Sequence, residues 1–85
     1  MYEIVWDSQP RKFLKNLSKE DAIRIIKKVE TLKENPRNEW VIKLKGRKEE
    51  YRIRQGDYRI RFLIADGILR VIIIDIDHRK DVYKK

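Results

Sequence analysis

Cysteine is absent, histidine and methionine occur once each, and 85 residues hold only three glycines and two prolines. Without cysteine there is neither a disulfide framework nor a thiolate metal site, and a lone histidine cannot build a His-based zinc centre. So few glycines and prolines leave no flexible linker, and no repeat or low-complexity segment interrupts the chain. No apolar stretch approaches the roughly 18 residues that span a bilayer, and the amino terminus lacks the apolar core of a signal peptide. The short run Val71 to Ile74 fits a buried strand instead. These absences point to a metal-free cytoplasmic protein with no small-molecule cofactor and no membrane attachment.

What remains fits one domain over residues 1–85, since a chain of this size buries only about 60 to 65% of its unfolded surface. Charge is plentiful and unbalanced: Lys+Arg 22 against Asp+Glu 14 gives a net +8 and a pI near 9.9. Residues 1–42 carry 9 basic and 7 acidic side chains and residues 43–85 carry 13 and 7, so the surplus sits in the second half. Such an excess attracts polyanions.

The basic half has a pattern. In Tyr51 to Phe62, YRIRQGDYRIRF, apolar residues and arginines alternate on both sides of Gln55-Gly56-Asp57. Strand side chains point to opposite faces with period two, so Tyr51, Ile53, Tyr58, Ile60, Phe62 and Ile64 form an oily face and Arg52, Arg54, Arg59 and Arg61 stand on the reverse. A two-residue Gln55-Gly56 turn would set Arg52 opposite Arg59 and Arg54 opposite Asp57. Asp66-Gly67 carries a second two-residue turn signal, which would place Phe62 opposite Val71 and Ile60 opposite Ile73. That register leaves Arg59 facing Ile74 and Arg61 facing Ile72, with His78 further along the same side. The expectation is a basic face with an apolar floor that a partner normally covers.

Upstream, Tyr2 to Trp6 alternates as a strand. Asp7 or Ser8 can cap a helix bearing Pro10, Phe13, Leu14 and Leu17, and Ser18 with Asp21 has the spacing of a capping box for a second helix. Ala22, Ile25, Ile26, Val29 and Leu32 follow the helical stripe until Asn35-Pro36 stops it. From Trp40 the period turns to two, predicting strands at Trp40 to Lys45, Tyr51 to Arg54, Asp57 to Ile64 and Ile68 to Ile76. The fold class is α+β, with a two-helix hairpin on one face of a curved, mostly antiparallel sheet of about four to five strands. Trp6 and Trp40 read as core or rim residues.

The order strand, helical hairpin, then Lys43 to Gly46 (KLKG), Tyr51 to Arg54 (YRIR), Gly56 to Ile60 (GDYRI) and His78 to Tyr83 (HRKDVY) resembles the RelE/ParE superfamily of small bacterial and archaeal toxins. The resemblance implies a RelB-like antitoxin as partner. In the RelE branch it further implies a ribosome-dependent endoribonuclease that cuts mRNA in the A site, and in the ParE branch a gyrase inhibitor without ribonuclease residues. Arg52, Arg54, Arg59, Arg79 and Tyr83 match the positions that carry ribonuclease chemistry, which favours the RelE branch, an mRNA interferase. Lys43, Lys45, Arg47, Lys48, Arg61 and His78 are the accompanying candidates for gripping RNA.

RNA cleavage by attack of a 2′-hydroxyl on the adjacent phosphate needs no metal. It needs in-line positioning, charge stabilisation on the phosphorane oxygens and proton transfer. Arg59 and Arg79 suit the phosphate as guanidinium forks. Arginine keeps its proton, so Arg52 and Arg54 are not natural bases. Tyr83, His78, Glu49 and Glu50 remain candidates for that role.

Overall fold

A computed structural model describes residues 1–46 and 49–78. Strand β1 (Glu3–Trp6) leads into helices α1 (Ser8–Lys15) and α2 (Lys19–Glu30) and a 3-10 turn at Thr31–Lys33. Strands β2 (Ile42–Lys43), β3 (Glu50–Gln55), β4 (Tyr58–Ala65) and β5 (Arg70–His78) follow. They form an open five-stranded sheet of order β1-β5-β4-β3-β2, with β1 parallel to β5 and every other pair antiparallel.

The helices start where their capping residues dictate. Asp7 accepts a hydrogen bond from the Ser8 amide at 2.9 Å, and the Ser18 hydroxyl accepts from the Asp21 amide at 3.1 Å. The Asp21 carboxylate does not close a reciprocal box; it accepts from the Tyr58 hydroxyl at 3.0 Å and so ties α2 to the start of β4. Ile25, Val29 and Leu32 point into the sheet and meet Tyr51, Ile53, Ile60, Phe62, Ile64, Val71, Ile73 and Ile76. Each fully buried aliphatic side chain contributes about 1.5 to 3 kcal/mol. Ile26, though on the expected stripe, remains 38% exposed because it sits on the flank of the helix.

Three expectations of register need correction. The first turn is centred on Gly56-Asp57, because Gln55 pairs with Tyr58, and Arg52 therefore opposes Arg61 while Arg54 opposes Arg59. Gly56 has φ 60°, and a positive φ at the first central position is what a type II′ turn demands. The second connection runs from Asp66 to Leu69 as a 3-10 turn closed by Leu69 at φ 53°. Asp66 is committed there to other bonds, accepting from Tyr2 at 2.7 Å and from both terminal nitrogens of Arg37 at 3.0 and 2.9 Å. Both shifts keep the loop even, so the oily rows still match.

The third correction changes the chemistry. Phe62 pairs with Ile73 but Arg61 pairs with Asp75, so Ile74 is an extra residue in a β-bulge. One inserted residue exchanges the two faces of everything after it. Ile76 turns into the core, Asp75 and Asp77 turn onto the arginine face, and His78 comes to the helix side beside Tyr58, edge-on with ring centres 4.8 Å apart. The Gln9 side chain holds this segment, donating to the Ile76 carbonyl and accepting from the Ile76 amide, both at 2.9 Å. Strand β2 is also shorter than expected: Trp40 stays out of the ladder, 49% exposed, with the Lys28 ammonium 4.2 Å from its ring centre.

Candidate nucleic-acid interface

The outer face of the sheet carries charge in two cross-strand rows. Arg52, Arg61 and Asp75 stand abreast on β3, β4 and β5, and Arg54, Arg59 and Asp77 form the next row. Guanidinium groups placed directly opposite one another destabilise a sheet, and the bulge supplies the acids that offset this. Arg59 donates from Nε to Asp77 at 3.0 Å. Arg61 is held on two sides, by Glu50 at 3.0 Å and by Asp75 at 3.2 Å. The isoleucines expected opposite Arg59 and Arg61 are thus replaced by carboxylates. The apolar part of this face lies in the third row, where Leu63 and Ile72 stand beside Val5 of β1.

Arg52 and Arg54 have no carboxylate partner among the described residues. Arg54 is exposed, whereas Arg52 is half-buried and its Nε is shielded from solvent without any hydrogen bond. Burial, then the proximity of Arg54 and Arg59, pushes the Arg52 guanidinium below its ordinary pKa, with Asp77 partly opposing. A shielded donor without a partner, crowded by two like charges, carries an unfavourable electrostatic cost. Arg52 lines a depression of about 370 Å³ together with Leu44, Lys45, Arg59, Arg61 and Asp77.

Among the residues singled out from the sequence, Arg52, Arg59, Arg61 and Lys45 converge on this depression, and Arg54 flanks it. Lys43 does not join them. It pairs with Tyr51 on the helix side of the sheet, its ammonium 5.5 Å from the Tyr51 ring centre. His78 lies on that side too, in a smaller hollow with Tyr58, Asp21 and Asp57. Arg47, Lys48, Arg79 and Tyr83 fall outside the described residues. Sequence reading missed Asp75, Asp77 and Gln9, although one signal was available: acids at 75 and 77 share the parity of the buried Val71 and Ile73, so a regular strand would sink them in the core.

Comparison with known proteins decides which lineage built this face. The family model described as the ParE toxin of the type II toxin–antitoxin system parDE matches residues 4–83. The chain belongs to the RelE/ParE toxin superfamily. A relative of the RelE type, the candidate toxin RelE1 of Methanocaldococcus jannaschii, is 36% identical over 76 residues, covering 86% of this chain and 84% of that protein. The isolated RelE toxin of E. coli superposes with a TM-score of 0.80 at 25% identity, covering 92% of this chain and 84% of that one. The RelE–RelB complex of Pyrococcus horikoshii gives 0.78 at 29% identity, covering 92% and 94%. The protein is therefore a toxin of a toxin–antitoxin system of the RelE type, and the two helices on an open mixed sheet are the RelE fold. None of the helices among the described residues is long and apolar enough to cross a membrane.

Proposed function

We propose that this toxin is a ribosome-dependent endoribonuclease that acts in the cytoplasm, cleaving mRNA in the ribosomal A site by 2′-hydroxyl attack and so arresting translation. The observation that supports this most is the Arg52–Arg59 depression, where a half-buried guanidinium with an unpartnered Nε stands beside a second one whose terminal nitrogens are not engaged by Asp77. A phosphodiester fits that demand. Arg59 and Arg52 bind the scissile phosphate and stabilise charge on the phosphorane oxygens; loss of one such donor costs about 10² to 10³ in rate. Arg54 extends the contact along the strand, and Arg61, clamped by Glu50 and Asp75, serves as scaffold. By the family resemblance, Arg79 and Tyr83 take part in the cleavage chemistry. Lys45, with Arg47 and Lys48, grips flanking phosphates.

The partner is a RelB-like antitoxin, in keeping with the RelE–RelB complex of the archaeal relative; on this protein it covers the arginine rows and the apolar strip of Leu63, Ile72 and Val5. Purified protein added to programmed ribosomes should yield A-site cuts that Arg59→Met slows by about 10² to 10³ and Arg79→Ala abolishes. Intact mRNA with the wild-type protein overturns the reading. The matched family description names the ParE toxin, and this favours one rival, inhibition of DNA gyrase. Blocked supercoiling with uncut mRNA would establish it.

A further inference from the structure

Resting on the ribonuclease reading above, we infer that Asp77 is the catalytic base that takes the 2′-hydroxyl proton. The reaction needs a proton acceptor next to the phosphate clamp, and the arginines around the depression have none to offer. Lys45 is a cation as well. The Tyr58 hydroxyl donates to Asp21 on the opposite side of the sheet, and His78 stands beside it there. Glu50 and Asp75 flank Arg61 outside the depression.

Asp77 is different on three counts. Among the described residues it is the one carboxylate that lines the depression. Its side chain is 38% exposed, so it is open to a bound nucleotide. Only Oδ1 is engaged, by Arg59 Nε at 3.0 Å, which leaves Oδ2 as an acceptor. The same contact fixes the base against the phosphate-binding guanidinium, whose terminal nitrogens remain available. Base and clamp are thus one unit, and the bulge at Ile74 is what brings the carboxylate to that face.

In the step, the 2′-oxygen bonds to phosphorus as its proton passes to Asp77 Oδ2. The bond from phosphorus to the 5′-oxygen breaks, the departing 5′-oxygen takes a proton from water, and Asp77 returns its proton to solvent. The products are a 2′,3′-cyclic phosphate and a 5′-hydroxyl end.

Asp77→Asn keeps a carbonyl oxygen for Arg59 Nε but removes the base. Single-turnover cleavage on programmed ribosomes should fall by about 10² to 10⁴. Affinity for ribosomes whose A-site codon carries a 2′-deoxynucleotide should change by less than about threefold. Asp77→Ala should lose cleavage likewise and regain part of it in added formate, a rescue that a merely structural carboxylate would not give. Cleavage by Asp77→Asn at the wild-type rate, with loss in Tyr83→Phe, overturns the assignment in favour of the tyrosine. A parallel fall in affinity and cleavage overturns it in favour of a positioning role. In either case the wild type still cuts mRNA; failure of the wild type itself removes the ribonuclease reading.

Discussion

Arg59 reaches Asp77 across β4 and β5 at 3.0 Å, and the pair exists only because β5 carries one residue more than its partner. Were Ile74 paired in a regular ladder instead of bulged, both aspartates of β5 would turn to the core side with Val71 and Ile73. The bulge is therefore what allows a strand reading Val71-Ile72-Ile73-Ile74-Asp75-Ile76-Asp77 to keep its acids out of the core and its arginines neutralised.

Gln9 guards that bulge. Its carboxamide occupies the Ile76 amide and carbonyl like a short extension of β1, and the Asp7 amide bonds the Ile73 carbonyl at 2.9 Å just before it. Gln9→Ala leaves a part-buried donor and acceptor without partners, at a cost of about 1 to 3 kcal/mol. For a chain of this size that lowers the thermal midpoint by about 4 to 8 °C per kcal/mol. Circular dichroism melting should show the drop, and Gln9→Glu should recover less than half of it, since a carboxylate cannot donate to the Ile76 carbonyl.

Much of this was legible in the residues. The helical stripe from Ile25 to Leu32, the caps at Asp7 and Ser18 and the oily parity of Tyr51 to Ile64 depend on local chemistry, and local chemistry decided them. Turn centres were not legible to the residue: two-residue loops at Gln55-Gly56 and at Gly56-Asp57 preserve the same parity, and what separates them is the positive φ of the first central residue, which Gly56 adopts and Gln55 does not. The bulge depended on β1 and α1 reaching β5 from the far end of the chain, a contact no window around Ile74 contains. The convergence of Arg52, Arg59 and Arg61 followed from parity alone, whereas the acids that pair with two of them required the bulge.

At the other end of the sheet, Asp66 joins Tyr2 to Arg37, and the Arg37 side chain also donates to the Tyr51 hydroxyl at 3.3 Å. The Arg37 and Tyr2 hydrogen bonds pull the Asp66 carboxyl from 3.8 to about 2. A carboxyl whose pKa is depressed by folding stabilises the native state above its unfolded value and ceases to do so as pH falls through the folded one. The contribution should be complete above about pH 5, decline below it and vanish near pH 2. The wild-type thermal midpoint should exceed that of Asp66→Asn at neutral pH, and the two should converge as the acid end is approached. A constant gap down to pH 2 would contradict the linkage.

Arg59 and Arg61 look alike in sequence and should behave differently when removed. Arg61 sits between Glu50 and Asp75, so Arg61→Met leaves two carboxylates facing each other and should lower stability by about 1 to 3 kcal/mol. Arg59 has one carboxylate and a free edge. Arg59→Met should cost less in stability but about 10² to 10³ in cleavage. Melting curves and single-turnover rates for the pair of variants separate scaffold from phosphate ligand.

Arg52 makes the sharpest opposition between stability and function. Its Nε is shielded from water and unpaired, and Arg54 and Arg59 crowd it with like charge. Arg52→Met keeps the stem that packs along β3 while removing the unsatisfied donor and the repulsion, so the variant should melt higher, by roughly 0.5 to 2 kcal/mol of added stability. It should also lose a phosphate contact, weakening binding to RNA with a logarithmic salt slope shallower by about one. A wild-type toxin protected by inorganic sulfate or by single-stranded RNA should gain back that stability, because the anion satisfies the same guanidinium. Titrating sulfate into both proteins while following the thermal midpoint checks this directly. The wild type should rise toward the variant and the variant should respond less; equal responses would mean that Arg52 is not where the anion binds.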